Sequence, residues 1–202
     1  MRRKYPYCRD GYPLHGFDPI VRNYVTLMYF TAHDTAVIGK VLCKPTEQKR
    51  TALLPDKNSH FYSGYEKRAK EKEEAIEDLV PAMGYYQMQV QLEEVIYDDL
   101  QWKYTEKEIL DVYINSHAMY VLPEIEEGSR FIFFLDGRHS EGKRAWEWSN
   151  PKDCFYVSGW NRVYSYKNVE ALNQYSGKSV QYLSEEICRL KEERKNTKNH
   201  PS

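Results

Sequence analysis

Along YYQMQVQLEEVIY, residues 85–97, apolar and polar positions alternate. Tyr86, Met88, Val90 and Leu92 stand against Gln87, Gln89, Gln91 and Glu93. A period of two sends every second side chain to the same face, so the segment reads as a strand packed on one side and wet on the other. TAVIGKVLC (35–43) reads as an earlier strand, with Gly39 marking a bulge or a close approach by a neighbour. ILDVYIN (109–115), RFIFFL (130–135), CFYVSG (154–159) and RVYSY (162–166) follow as four more. The last two are close enough across Gly159, Trp160 and Asn161 to form a hairpin.

Three segments carry helical spacing. DPIVRNYVTLMYFTAHD opens with Asp18 as N-cap and Pro19 at the first helical position, and Ile20, Tyr24, Leu27 and Met28 share one face, although its β-branched residues and aromatics make a strand the close competitor. SGYEKRAKEKEEAIEDLVP places Ser63 and Glu66 at capping-box spacing and is stopped by Pro81; its apolar stripe (Tyr65, Ala69, Ile76, Leu79) is narrow, so it reads as an exposed helix resting lightly on the domain. In KSVQYLSEEICRLKEERK, Val180, Leu183, Ile187 and Leu190 form one apolar seam, too short for a coiled coil and suited to packing on the chain's own domain.

Helices do not alternate with strands, which disfavours parallel winding. The pattern predicts an α+β, mainly β fold: a small curved antiparallel barrel of five or six strands. To it are added an N-terminal helix, a charged inserted helix and a C-terminal helix. The chain divides into an irregular arm (1–17), the barrel domain (18–175) with an insertion (44–84), the C-terminal helix (176–195) and a tail (196–202).

DTAVIGKVL, YYQMQVQLEEVIY, IEEGSRFIFFL and CFYVSGWNRVY, within residues 20–170, resemble the OB-like, netrin-like small β-barrel domains of bacterial envelope proteins. In those domains a helix leads into a strand of the VVGKV type. A long V-x-V-E-E-V strand, a Gly-led YLLFL-like strand and a closing hairpin follow. The resemblance implies an OB-like barrel and transfers no catalytic residue. This chain departs from the pattern in its insertion after the first strand, in lacking the usual glycine after the long strand, and in lacking a signal or lipid-anchor sequence.

The formal charge of −1 gives no global attraction to nucleic acid or an anionic membrane. Between Leu92 and Gly128, however, ten acids face only Lys103 and Lys107, an asymmetry that can mark an interaction face. No apolar stretch approaches the length of a membrane helix. The basic opening MRRKYPYCRDGYPLHGF has no apolar run behind it and does not read as a secretory signal. Cys8, Cys43, Cys154 and Cys188 show no CxxC spacing, so they read as reduced thiols of a cytoplasmic protein rather than a zinc or disulfide framework.

Candidate chemistry narrows quickly. Gly137 to Lys143 in FIFFLDGRHSEGKRAWEW has phosphate-loop spacing, but Arg144 stands where magnesium needs a hydroxyl, and no helix follows. The segment therefore reads as a long, basic, solvent-exposed loop. GKS at 177–179 has Leu172 where the first glycine belongs. His33–Asp34 matches the metal-binding pair of some phosphohydrolases, but that site needs further histidines and an aspartate on helices, so the pair reads as a polar lead into a strand. There is no GxSxG elbow. The sequence thus names no catalytic residue, no cofactor and no metal.

What remains is a binding module. The expectation is a non-catalytic cytoplasmic module that contacts a macromolecular partner, a protein or ribonucleoprotein, as an inhibitor or regulator. Its acidic face would comprise Glu93, Glu94, Asp98, Asp99, Glu124, Glu126 and Glu127. The first alternative is single-stranded nucleic acid on a barrel face carrying Arg138, Lys143, Arg144, Trp146, Trp148, Trp160 and Arg162, which interleaves aromatics with cations. The second is an enzyme without a recognisable motif.

Overall fold

The computed structural model describes residues 32–47, 50–116, 125–149, 154–165 and 170–199. The N-terminal arm, nearly all of the helix read from Asp18, Glu124 and the last residues of the tail lie outside them.

Among the described residues nine strands form one sheet: β1 (Thr35–Val41), β2 (Thr46–Glu47), β3 (Leu54–Pro55), β4 (Tyr85–Asp98), β5 (Ile109–Asn115), β6 (Arg130–Ser140), β7 (Lys143–Glu147), β8 (Phe155–Val157) and β9 (Val163–Ser165). Four helices among the described residues accompany them: α1 (Tyr62–Lys72), α2 (Ile76–Leu79), α3 (Glu170–Asn173) and α4 (Val180–Asn199). The fold is mainly β with a C-terminal helix, as the alternation implied. Five strands close into a ring in the order β1–β4–β5–β7–β6 and back to β1. Every contact in the ring is antiparallel except that between β5 and β7.

The ring encloses one core and its outer wall builds a second. Val37, Met88, Val90, Leu92, Leu110, Val112, Phe131, Phe133, Leu135, Trp146 and Trp148 fill the interior. Ala36, Ile38, Ile132 and Phe134 face outward, where α3, α4, β8 and β9 cover them with Leu172, Leu183, Ile187, Leu190, Phe155 and Val163. β6 is thus buried on both faces, which is why its sequence runs FIFFL without alternating. The α4 seam packs on its own domain, as its spacing predicted.

Three sequence readings change. β6 does not stop at Leu135, and residues 137–143 are not an exposed loop. The strand continues to Ser140 and turns through Glu141 and Gly142 into β7. Both turn residues have positive φ (51° and 75°), the requirement of a two-residue hairpin turn that matches strand twist. The polar Arg138 and His139 sit in this strand because Glu147 and Asp56 pair with them. Next, α1 begins at Tyr62 without a side-chain cap, so Ser63 and Glu66 form no capping box; the helix ends at Glu73 in the left-handed region, well before Pro81. Finally, the insertion is not helical alone, since β2 and β3 tie it to β4 and β6.

Gly39 does mark a close approach. The β1–β4 register shifts beside it, and an added Cβ would lie 2.3 Å from Val90 Cγ1. Gly39→Ala is expected to cost about 1–3 kcal/mol through overpacking of a filled interior. Gly64→Ala, inside α1 with nothing within 4 Å, is expected to gain about 0.5–1 kcal/mol from helix propensity. Urea midpoints for the two variants should move in opposite directions; a common direction would contradict this packing.

Candidate functional site

Two places in the fold bring chemistry-bearing side chains together. The first follows from strand register. β1 and β6 pair Thr35 with Leu135, and the same antiparallel register carried one residue further sets Asp34 opposite Asp136. Both carboxylates are buried, at 1% and 0% exposure.

Each carboxylate is held by several donors. Asp34 Oδ1 accepts the His60 backbone amide at 3.0 Å and pairs with His60 Nδ1 at 2.7 Å, while Oδ2 accepts the Gly137 amide at 3.0 Å. Asp136 Oδ1 lies 3.2 Å from His33 Nδ1, and the Ser149 hydroxyl donates to its Oδ2. Burial opposes ionisation of Asp34, but His60, Ser59 and the two amides outweigh it and hold the group below the usual carboxylate range. Asp136 follows the same pattern: burial opposes, while His33, Ser149 and the Arg138 charge prevail. Asp34, His60 and Asp136 offer ligand atoms that all lie within 4.8 Å of one another.

The surroundings are polar and tightly paired. His139 Nε2 meets Asp56 Oδ2 at 2.7 Å, and Arg138 lies over the Phe61 ring while bonding Glu147 at 2.8 Å. Lys191 of α4 is buried, donates to the His33 carbonyl at 2.9 Å and meets Asp99 at 2.6 Å. A small cleft of about 70 Å³ opens here, with His33, His60, Asp99, Lys191, Arg194 and Lys195 on its walls.

Sequence reading singled out His33 and Asp34 but treated them as a polar lead into a strand. The aspartate and the histidine that lie beside Asp34 come from β6 and from the insertion. Asp136 could have been noticed as a carboxylate directly abutting the apolar run FIFFL. No local signal marks His60.

The second place is a groove of about 630 Å³ between the end of β4 and α4. Val95, Ile96 and Val180 give it apolar surface, and Glu94 and Glu185 give it acidic walls. At one end lies the β8–β9 turn, bonded to the start of α4 by Val180 N to Asn161 O (3.0 Å) and Arg162 to the Gly177 carbonyl (3.0 Å). Trp160 stands at the tip of that turn, 90% exposed. Tyr156 and Tyr164, paired across the ribbon, and Tyr182 on the first turns of α4 are also exposed.

The predicted acidic residues do not share one surface. Glu93 is paired with Arg130 at 2.7 Å. Asp98 accepts from Thr35, Leu100 and Trp102 and so holds the turn after β4 together. Asp99 is engaged by Lys191 and Lys195. Glu94 lines the groove, Glu126 and Glu127 are exposed before β6, and Glu124 lies outside the described residues.

The predicted nucleic-acid face divides more sharply. Trp146 and Trp148 are core residues that no base can reach, and Arg138 is buried in its pair with Glu147. Arg144 lies over Trp102 and bonds the Lys103 carbonyl. Lys143 is exposed at the β6–β7 turn, while Trp160 and Arg162 stand on the other hairpin. Hydrophobic stacking, not base stacking, explains the two inner tryptophans.

No helix among the described residues is long and apolar enough to cross a membrane. No family model, curated protein or solved structure matches this chain.

Proposed function

We propose that this chain is a non-catalytic binding module on an OB-like scaffold, and that its partner is a protein. The scaffold reading is supported by the ring: its five strands, counted along the chain, stand in the order one, two, three, five, four. That is a Greek-key closure rather than an up-and-down one, as in the five-stranded OB architecture. The observation that carries the binding reading is the group of exposed aromatics on the β8–β9 hairpin and the start of α4, Trp160, Tyr156, Tyr164 and Tyr182, with Asn161, next to Trp160, bordering the β4–α4 groove.

Exposed tryptophan and tyrosine beside arginine is the composition of protein-interface anchors. The charges around them are mixed: Arg130 is bound to Glu93 and Asn161, and Glu94 and Glu185 wall the groove. A phosphate backbone needs an unbroken cationic track, which this surface lacks. A partner segment with apolar side chains flanked by lysine or arginine fits it.

The test is a pull-down from the source cells with the full chain, before and after nuclease. The reading expects one protein to be retained after nuclease, and to be lost with Trp160→Ala and with the double change Glu94→Lys, Glu185→Lys. Binding of that purified protein should move Trp160 emission to shorter wavelength and weaken at least about tenfold in Trp160→Ala, the scale of an aromatic hot spot. Retention that disappears with nuclease would favour the nucleic-acid reading instead. Equal retention by all variants would remove this surface from the proposal.

A further inference from the structure

We propose that Asp34, His60 and Asp136, brought together from the lead into β1, the insertion and the middle of β6, form a site for one divalent transition-metal cation such as zinc. The convergence is geometric: one nitrogen and two carboxylate donors lie within 4.8 Å of one another. A cation bonded tetrahedrally at about 2.0–2.2 Å holds its ligand atoms about 3.3–3.6 Å apart, so closure asks for a movement of up to about an ångström. His60, the most exposed of the three, is the side chain placed to make it.

Charge is the second argument. Two carboxylates buried at adjoining positions of neighbouring strands carry −2 between them. Arg138 and Lys191, the full cations nearby, bond Glu147 and Asp99 directly and reach the pair only through space. Burying like charges side by side is costly unless something balances them, and a divalent ion does so completely. It would take the place of the proton joining His60 Nδ1 to Asp34 Oδ1.

The donors are also held in place from behind. The Gly137 amide fixes Asp34 Oδ2, and Ser149 with His33 fixes Asp136. Such outer hydrogen bonds orient ligands and commonly change metal affinity 10–100-fold. Imidazole with two carboxylates suits zinc, cobalt or manganese better than calcium, which prefers six to eight oxygens. The cleft lined by Lys191, Arg194 and Lys195 reaches His60 and gives the ion a way in from that side.

Cobalt is the probe. The full chain, stripped with chelator and kept reduced, is titrated with Co²⁺ and then Zn²⁺. One equivalent of Co²⁺ should produce a visible d–d band without the near-ultraviolet thiolate band that Cys43 or Cys188 ligation would give. Zn²⁺ should displace it, and the ion should raise the thermal midpoint. His60→Gln should weaken Co²⁺ binding about tenfold or more, and Asp136→Asn should abolish it. His139→Gln, in the neighbouring pair with Asp56, should leave it intact. If Asp136→Asn fails to fold, His60→Gln still decides, because that side chain is partly exposed. No band and no thermal shift in the wild type, or binding by His60→Gln equal to wild type, overturns the proposal.

Discussion

Replacing Trp148 with alanine is expected to cost about 3–5 kcal/mol, the range for deleting a large aromatic from a core. Trp148 is fully buried inside the ring, edge-on to Phe133 at 5.0 Å and tilted against Phe131 at 6.5 Å. Its backbone amide bonds the Tyr113 carbonyl at 2.8 Å, extending the parallel β5–β7 contact past the end of β7. The lost side chain therefore leaves a cavity beside the pairing that closes the ring. Against a total stability of about 5–15 kcal/mol, the loss leaves a marginal or unfolded protein. Urea unfolding measures it as a lowered midpoint at similar slope. Trp160→Ala is the internal control: at the exposed turn it should change stability by less than about 0.5 kcal/mol. If Trp148→Ala unfolded within about 1 kcal/mol of wild type, the ring interior would not be the core described here.

Those two tryptophans also show where the sequence stops being informative. WEW beside basic residues suggests a stacking surface, because sequence gives proximity along the chain but not the side of the sheet. Local pattern was sufficient where one element decides its own packing. The alternation in β4, the close approach at Gly39 and the seam on α4 were all legible. It was insufficient where a distant residue supplies the reason. Arg138 and His139 look like loop residues until Glu147 and Asp56 are placed beside them, 9 and 83 positions away. Ser63 looks like a cap, but Phe61 occupies that position and the helix starts two residues earlier.

The paired aspartates are the clearest case. Residues 34 and 136 are joined only by the β1–β6 register, which no window along the chain contains. The acidic stretch from Leu92 to Gly128 illustrates the converse. Its charges are contiguous in sequence, yet strand, turn and helix contacts send Glu93, Asp98 and Asp99 to three different partners. Charge counted along a chain becomes a surface only when the fold keeps it on one side.

Alkaline titration is expected to unfold the protein between about pH 10.5 and 12, while its arginines are still charged. The cause lies in its tyrosines. Burial is the leading reason that the phenols of Tyr85, Tyr97, Tyr104 and Tyr175 ionise only well above 10, the last at about 12. Nearby carboxylates add to it: Glu147 for Tyr85, Asp99 and Asp136 for Tyr97, Asp98 for Tyr104 and Glu186 for Tyr175. A group whose folded pKa lies above its unfolded value contributes stability that is complete below the unfolded value. That contribution is lost as pH rises toward the folded value, because the unfolded chain releases its protons first. At pH 11 a phenol fully protected in the fold withdraws about 1.4 kcal/mol, so the four together withdraw a few kcal/mol, a large share of the stability of a small domain. Absorbance at 295 nm should therefore show a steep tyrosinate step coinciding with loss of near-ultraviolet circular dichroism. A gradual rise centred near pH 10 with the dichroism intact would contradict the burial of these phenols. Tyr85→Phe keeps the ring against Tyr113 while removing one such proton, so its unfolding midpoint should move to higher pH. A midpoint that stays in place would mean that the unfolding is driven by some other group.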